Sequence, residues 1–447
     1  MTATLTATES APTETAHAGG RWSSAFDGAT RSSSLGVLDR LLYVGLCITA
    51  FLVPLEGAVL LGTATITIYV GTFTTTAFIG SLIFERRPIY RGGRAARSLF
   101  LRLGMSTIGL VLWTQDLAGT QRQLPLLFRL SLLAVMTFQV GASSPKRWRG
   151  LCRSLGYGAA FAAGVIVYNW ATGETFVEAG GHVQRTIAEA GVGAARRYTV
   201  GTVDPNYMAL VLGVGITMLL AGAAGKRRSV YVGVPLMALG VALTGSRTAL
   251  VAGFAATLYY FTRGALKGHR RARLFAGALV GVGLVAFSWQ FVPDDTQVRA
   301  KTVLEAQNDN SANERRDAWS AGLKAWNKVP ILGSGLATFQ TFTIPYTPGD
   351  PTAAHSLYVN QLVEGGVLGV AISLYGLSSI WRSTGGSRVR PERLALIVWA
   401  TTGIALDLDL NKLTFVLLPL CLLSGLHRRE APQNEGRPSA ALPAVPA

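Results

Sequence analysis

The residues of this chain that could do chemistry are few and lie far apart: Arg247 in Thr244-Gly245-Ser246-Arg247, Arg315 beside Arg316 in Asn313-Glu314-Arg315-Arg316-Asp317, and His355 in Ala354-His355-Ser356. An arginine offers a planar fork of donors that stays charged at any relevant pH, which suits phosphate or diphosphate. A histidine exchanges a proton near neutral pH. Together they would supply fixed cations for an anionic group and a side chain that can exchange a proton. The bland readings are an Arg247 that snorkels to headgroups and an Arg315–Arg316 pair that forms a solvated basic face. The other histidines are weaker candidates: His17 lies in a polar tail, His182 in a Gly-rich segment, and His269 and His427 among basic residues.

Carboxylates add little. Asp204 in Asp204-Pro205-Asn206-Tyr207 reads first as a helix N-cap with proline in the first turn, and Asp407 and Asp409 read as capping or solvated residues of a turn. Cys47, Cys152 and Cys421 are distant from one another and have no metal-ligand spacing, so neither disulfide nor zinc is expected. No Gly-rich nucleotide loop stands out.

The elements that must position these residues are membrane helices. Of 447 residues 49% are hydrophobic and only 15% charged, which is too apolar for an ordinary soluble core. The formal charge of +17 is carried by short basic clusters between apolar runs, the pattern of membrane topology and not of nucleic-acid binding. Twelve candidate spans follow, near Leu41–Val59, Ile66–Phe84, Leu99–Trp113, Leu124–Val140, Leu155–Trp170, Tyr207–Ala224, Val230–Leu243, Thr248–Phe261, Leu274–Phe291, Leu357–Ile380, Leu394–Leu406 and Leu413–Leu426. Basic clusters at Arg86–Arg97, Lys146–Arg153, Lys226–Arg228, Arg263–Arg273, Arg382–Arg393 and Arg428–Arg429 fall in alternate connections. These would be cytoplasmic, with both termini inside.

The stretches 1–34 and 430–447 read as disordered cytoplasmic tails flanking a transmembrane domain over 35–429. Two outward segments are long, about 171–204 and 292–354. In the second, Ala312–Trp326 has apolar residues at helical spacing and reads as an amphipathic helix resting on the membrane surface. Arg247, Arg315 and His355 all fall on the outer side.

At this point a resemblance emerges. His355-Ser356 followed nine residues later by Gly366-Val367-Leu368-Gly369 resembles the histidine motif of the O-antigen ligase and Wzy-type polymerase superfamily. Gly245-Ser246-Arg247-Thr248 resembles its Ser-Arg turn, Arg315 to Trp319 its arginine-to-tryptophan helix, Leu332-Gly333-Ser334-Gly335 its Gly-x-Gly stretch, and Asp204-Pro205-Asn206 a further segment. Order and spacing agree over about 202–372.

The resemblance implies a GT-C-like, all-α polytopic fold. It also implies a metal-independent, cofactor-free glycosyltransferase that takes a glycan from undecaprenyl diphosphate at the periplasmic face of the bacterial inner membrane. The acceptor would be the lipid A core for a ligase, or a carrier-linked repeat for a polymerase. Besides membrane lipids no other partner is implied, and nucleic acid is not one. Arg247 and Arg315 would hold the diphosphate, with Arg299 and Arg316 competing for the second role. His355 would act on the acceptor hydroxyl, and Arg316, Asp204 and Asn206 would be further substrate contacts.

A secondary transporter is the alternative from another class. It calls for repeated halves and mid-membrane ionisable groups. No repeat is visible, and Arg102, Arg129 and Glu364 form no evident pathway in the sequence. A scaffold that keeps the fold without activity is the blandest alternative, although all three candidate catalytic groups are present.

Overall fold

A computed structural model describes residues 36–55, 63–85, 89–90, 92–172, 198–200, 203–223, 227–265, 310–347, 353–385 and 389–429. Both expected tails, the span near Leu274–Phe291, Arg299 and His182 lie outside these residues, as do most of the 171–204 segment and the first part of the 292–354 segment.

Among the described residues the chain is all-helical, with thirteen α-helices and no strand: α1 Val37–Leu52, α2 Thr63–Ile83, α3 Gly93–Leu112, α4 Leu117–Ala142, α5 Pro145–Thr172, α6 Pro205–Gly222, α7 Arg227–Leu243, α8 Arg247–Ala265, α9 Asn310–Trp326, α10 Phe339–Thr343, α11 Leu357–Ser383, α12 Pro391–Thr402 and α13 Lys412–Arg429. Among the described residues six stretches are long and apolar enough to cross a bilayer, namely Val37–Leu55, α3, α4, α5, α6 and α11. Large apolar side chains such as Phe100, Val111, Phe161 and Phe254 point outward, where a water-soluble protein of this size would bury them. The chain is a membrane protein.

Local chemistry sets the helix starts. Asp116 caps α4 by accepting from Gly119 N at 2.8 Å, Asp204 caps α6 with Pro205 in the first turn, and Ser356 caps α11. The core lies where α5 meets α1, α6 and α7, and small residues let the backbones close in. At Gly156 an added Cβ would stand 2.8 Å from the Cβ of Leu219, the close helix approach that membrane bundles favour. Around this centre α3 packs on α11, α4 on α13, and α12 on both α6 and α8.

Two expectations need adjustment. The basic cluster Lys146–Arg153 is not a loop: a turn at 143–144 leads straight into α5, whose first turns carry it. Within that cluster Arg147 is buried, pairs with Asp39 at 2.7 Å and lies over the ring of Tyr43. Arg393 is likewise buried, 4.3 Å over the Trp381 ring and bonded to the Tyr259 hydroxyl. Both fasten helices together at the end read as cytoplasmic, beyond any part in topology.

Candidate active site

The surface helix of the sequence reading is α9, which begins two residues earlier than expected and lies against α11. Its Ala318, Ala321 and Ala325 are buried, which brings the helix close to its neighbours. Residues four apart share a helix face, so Arg315 sits on the same face as Trp319. The Trp319 indole Nε1 donates to the carbonyl of Ala354 at 2.9 Å, which ties the segment bearing His355 to the face bearing Arg315. Arg315 is half-buried. Arg316, a third of a turn away, is exposed.

His355 is held from both sides. Upstream is the Trp319 bond, and downstream the amide of Leu357 donates to the carbonyls of Gly403 at 2.8 Å and Leu406 at 2.9 Å. Between these anchors His355 has φ 45°, a left-handed conformation rarely adopted by a residue with a side chain. Such strain, on the order of 1–3 kcal/mol, survives where surrounding contacts enforce it, and it accumulates at functional sites. His355 is exposed, yet desolvation and then the charge of Arg315 hold its pKa below the usual histidine value, with Asp204 and Glu314 opposing. Arg315, Asp204 and Glu314 are therefore all within electrostatic reach of the imidazole. A depressed pKa keeps the ring neutral near pH 7, the form that accepts a proton.

Asp204 connects this group to Arg247. Its Oδ1 accepts from the amides of Asn206 at 2.6 Å and Tyr207 at 3.2 Å, so it is occupied as an N-cap while its charge is felt at His355. The side chain of Asn206 is buried and its Oδ1 accepts from the hydroxyl of Ser246 at 2.9 Å. Ser246 in turn accepts from Ala249 N at 3.3 Å and caps α8, whose first residue is the half-buried Arg247. Gly245, with φ 60°, makes the preceding turn. Chain neighbours and hydrogen bonds thus link Arg247 to Ser246, Asn206 and Asp204, whose charge is felt at His355, and the Trp319 bond links the His355 segment to the helix face of Arg315.

The two glycine motifs form one interlock beneath this site. α11 is broken at Gly366 (φ 61°, ψ −167°), and the segment 330–335 fills the break. Val367 N donates to Pro330 O at 2.9 Å and Leu368 N to Ile331 O at 3.1 Å. In return, Ser334 N donates to Val363 O at 2.9 Å and Gly335 N to Glu364 O at 3.0 Å. The backbone groups released by the break are re-satisfied within protein, as a membrane helix requires.

Some of what the structure brings together was not foreseen. Asp409, expected to cap or solvate a turn, is buried, paired with Arg102 and bonded to Gln361 Nε2 at 2.9 Å. Arg102 and Glu364, which formed no evident pathway in the sequence, line one cleft with Asp409. Arg129 stays apart, exposed and donating to Pro125 O of its own helix. The only sequence signal for Asp409 is its place between Leu408 and Leu410, in a turn too apolar to be fully solvated. The three cysteines are free thiols, and no group of metal-binding side chains occurs among the described residues.

Residues 232–374 match the family model described as O-antigen ligase. Neither the curated proteins nor the solved structures include a match. The matched stretch spans the Ser246-Arg247 turn, α9, the glycine interlock and His355, so over this third of its length the chain is similar to the O-antigen ligase family.

Proposed function

We propose that this protein is an O-antigen ligase-like glycosyltransferase that moves a glycan from undecaprenyl diphosphate to a hydroxyl of the lipid A core, at the periplasmic face of the bacterial inner membrane. The observation that carries the reading is the Trp319–Ala354 bond, which sets His355 beside Arg315, with Asp204 leading on to Arg247. In the reaction the acceptor hydroxyl attacks the anomeric carbon. A new glycosidic C–O bond forms as the bond from that carbon to the diphosphate oxygen breaks. Neutral His355 takes the hydroxyl proton, and the diphosphate leaves with its electron pair toward Arg247 and Arg315. Charge grows on the leaving oxygen, so fixed cations stabilise the transition state more than the ground state. No metal or cofactor is required.

On this reading Arg316, Asp204 and Asn206 are secondary: Arg316 meets carrier phosphate or headgroups from the exposed side of α9, and Asp204 and Asn206 hold the Ser246-Arg247 turn in place. The chain would cross the membrane about twelve times in a GT-C-like arrangement, with both termini cytoplasmic, tails over 1–34 and 430–447, and the 292–354 segment outside. The family also contains Wzy-type polymerases, whose acceptor is a carrier-linked repeat, and the same residues would serve that reaction.

The test is glycan transfer in membranes of a deletion strain complemented with wild type, His355→Ala, Arg247→Ala or Arg315→Ala, with lipid A-linked and carrier-linked products resolved side by side. Polymer stranded on the carrier above bare lipid A is the expected result. Stranded single repeats would identify a polymerase instead. Unchanged transfer in all three variants overturns the mechanism and returns a transporter or scaffold to consideration.

A further inference from the structure

A second polar site lies on the other side of α11 from His355. The first turns of this helix present Val359 and Val363 toward Phe339 and Ala354, next to α9, while Gln361, Glu364 and Gly365 face a cleft against α3. The enclosed space is about 50 Å³ and the cleft is open on one side, so it would hold the edge of a ligand and not surround it. Arg102 and Trp113 of the α3 side, Gln361 and Glu364 of α11, and Asp409 line it.

Its chemistry is specific. Asp409 is 4% exposed, paired with Arg102 through Oδ2 and with Gln361 through Oδ1. Glu364 is 8% exposed, and its Oε1 accepts from Phe339 N at 3.3 Å. One guanidinium already engaged by a carboxylate, with a second carboxylate alongside, makes a poor seat for another diphosphate. A buried ion pair and an amide in the wall are equally unsuited to an acyl chain. Carboxylate and amide groups around a cavity edged by an indole plane suit a neutral, polyhydroxylated ring, which both donates and accepts hydrogen bonds and stacks its apolar face on an aromatic side chain.

We infer that the cleft between α3 and α11 is a saccharide-binding subsite, held ready by the Arg102–Asp409–Gln361 network and distinct from the diphosphate and histidine site. The turn at 403–411 joins the two: its Gly403 and Leu406 carbonyls anchor Leu357 beside His355, Asp409 faces the cleft, and Asn411 Oδ1 accepts from the Tyr207 hydroxyl at 3.0 Å next to Asn206. Arg102, Trp113 and Asp409 lie outside the stretch that matches the family model, so the subsite depends on this chain's own flanking helices. The saccharide could belong to the donor glycan or to the acceptor glycan; its chemistry is the same in both.

The test uses the full chain in detergent micelles and saturation-transfer NMR with the methyl α-glycosides of glucose, galactose, mannose and N-acetylglucosamine. Two variants address the cleft. Gln361→Leu removes a wall donor, and Gly365→Leu fills the space from a position where an added Cβ meets nothing within 4 Å, so it keeps the fold. At least one glycoside should receive saturation from the wild type, and its signal should fall roughly tenfold in Gly365→Leu. No signal from any glycoside, or an undiminished signal in Gly365→Leu, overturns the subsite.

A second arm rests on the transferase reading. In the transfer assay Gly365→Leu should raise KM roughly tenfold for one substrate: donor if the donor glycan sits there, acceptor if the acceptor glycan does. Unchanged KM for both overturns the inference. If instead His355→Ala leaves transfer intact, the transferase reading fails, and the NMR arm still decides the subsite on its own.

Discussion

Gly365 and Gly366 are neighbours in α11, and the same substitution should act on them in opposite directions. At Gly366 the backbone is left-handed, φ 61°, and an added Cβ would stand 2.6 Å from Gly333 N and closer still to the Ile331 carbonyl. The left-handed conformation costs alanine about 1–2 kcal/mol, and a clash with backbone, which cannot rotate away, adds about 1–3 kcal/mol. Gly366→Ala should therefore lose about 2–5 kcal/mol of stability, and four interlock hydrogen bonds between 330–335 and α11 are put at risk with it. At Gly365 an added Cβ meets open space, and alanine in place of helical glycine should gain about 0.5–1 kcal/mol. The assay is equilibrium unfolding of the purified protein in mixed dodecyl-maltoside and dodecyl-sulfate micelles, followed by far-UV circular dichroism. Equal midpoints for the two variants, or a Gly366→Ala midpoint at the wild-type value, would refute the interlock and the account of the broken helix built on it.

Two further outcomes concern His355. Because burial and Arg315 both push its pKa down, the imidazole is neutral at neutral pH and takes up a proton only as pH falls through a value below the ordinary figure of about 6.5. Removing the cation in Arg315→Gln raises that pKa, so the NMR titration of the ring should move to higher pH, and a titration unmoved by the substitution contradicts the proximity of the two groups. Trp319→Phe keeps an aromatic ring but leaves the Ala354 carbonyl without its indole donor, at a cost of about 1 kcal/mol. The rate of transfer should fall about tenfold with KM for the donor little changed, as expected when a reacting group loses its position; an unaltered rate would mean that the bond does not position His355.

What could be read in the sequence, and what could not, follows from sequence distance. Arg247, Arg315 and His355 are visible because each sits in a short motif at a helix end, where capping residues and glycines mark the turn. Asp204-Pro205 announces a helix start for the same reason, and the structure has it as one. The Arg102–Asp409 pair joins residues 307 positions apart, with nothing local at either end to indicate the partner, so one was taken for an isolated charge in a span and the other for a cap. The break in α11 was hidden by strong local helix character on both sides of Gly366. Its signal was the matching pair of glycine motifs, which makes sense only once 330–335 is known to insert there. Counting basic residues toward topology mixes two populations, since Arg147 and Arg393 are buried and bonded within the bundle.

The placement of the candidate groups also explains why this scaffold can hold a strained histidine. His355 stands at the junction of three separately anchored pieces: α9 through Trp319, the 403–411 turn through Leu357, and α11, whose first turns are braced by the glycine interlock. Releasing any one leaves the left-handed residue free to relax by the 1–3 kcal/mol or so that such conformations store, which is comparable with the transition-state stabilisation one positioned group supplies. The three anchors come from segments remote in sequence, and two of them, α9 and the interlock, lie with His355 inside the family-matched stretch. The third, the 403–411 turn, lies outside it and also carries Asp409 into the cleft. A change in that turn would therefore be felt both at the histidine and at the wall of the second site, whereas changes in α9 should reach the histidine alone.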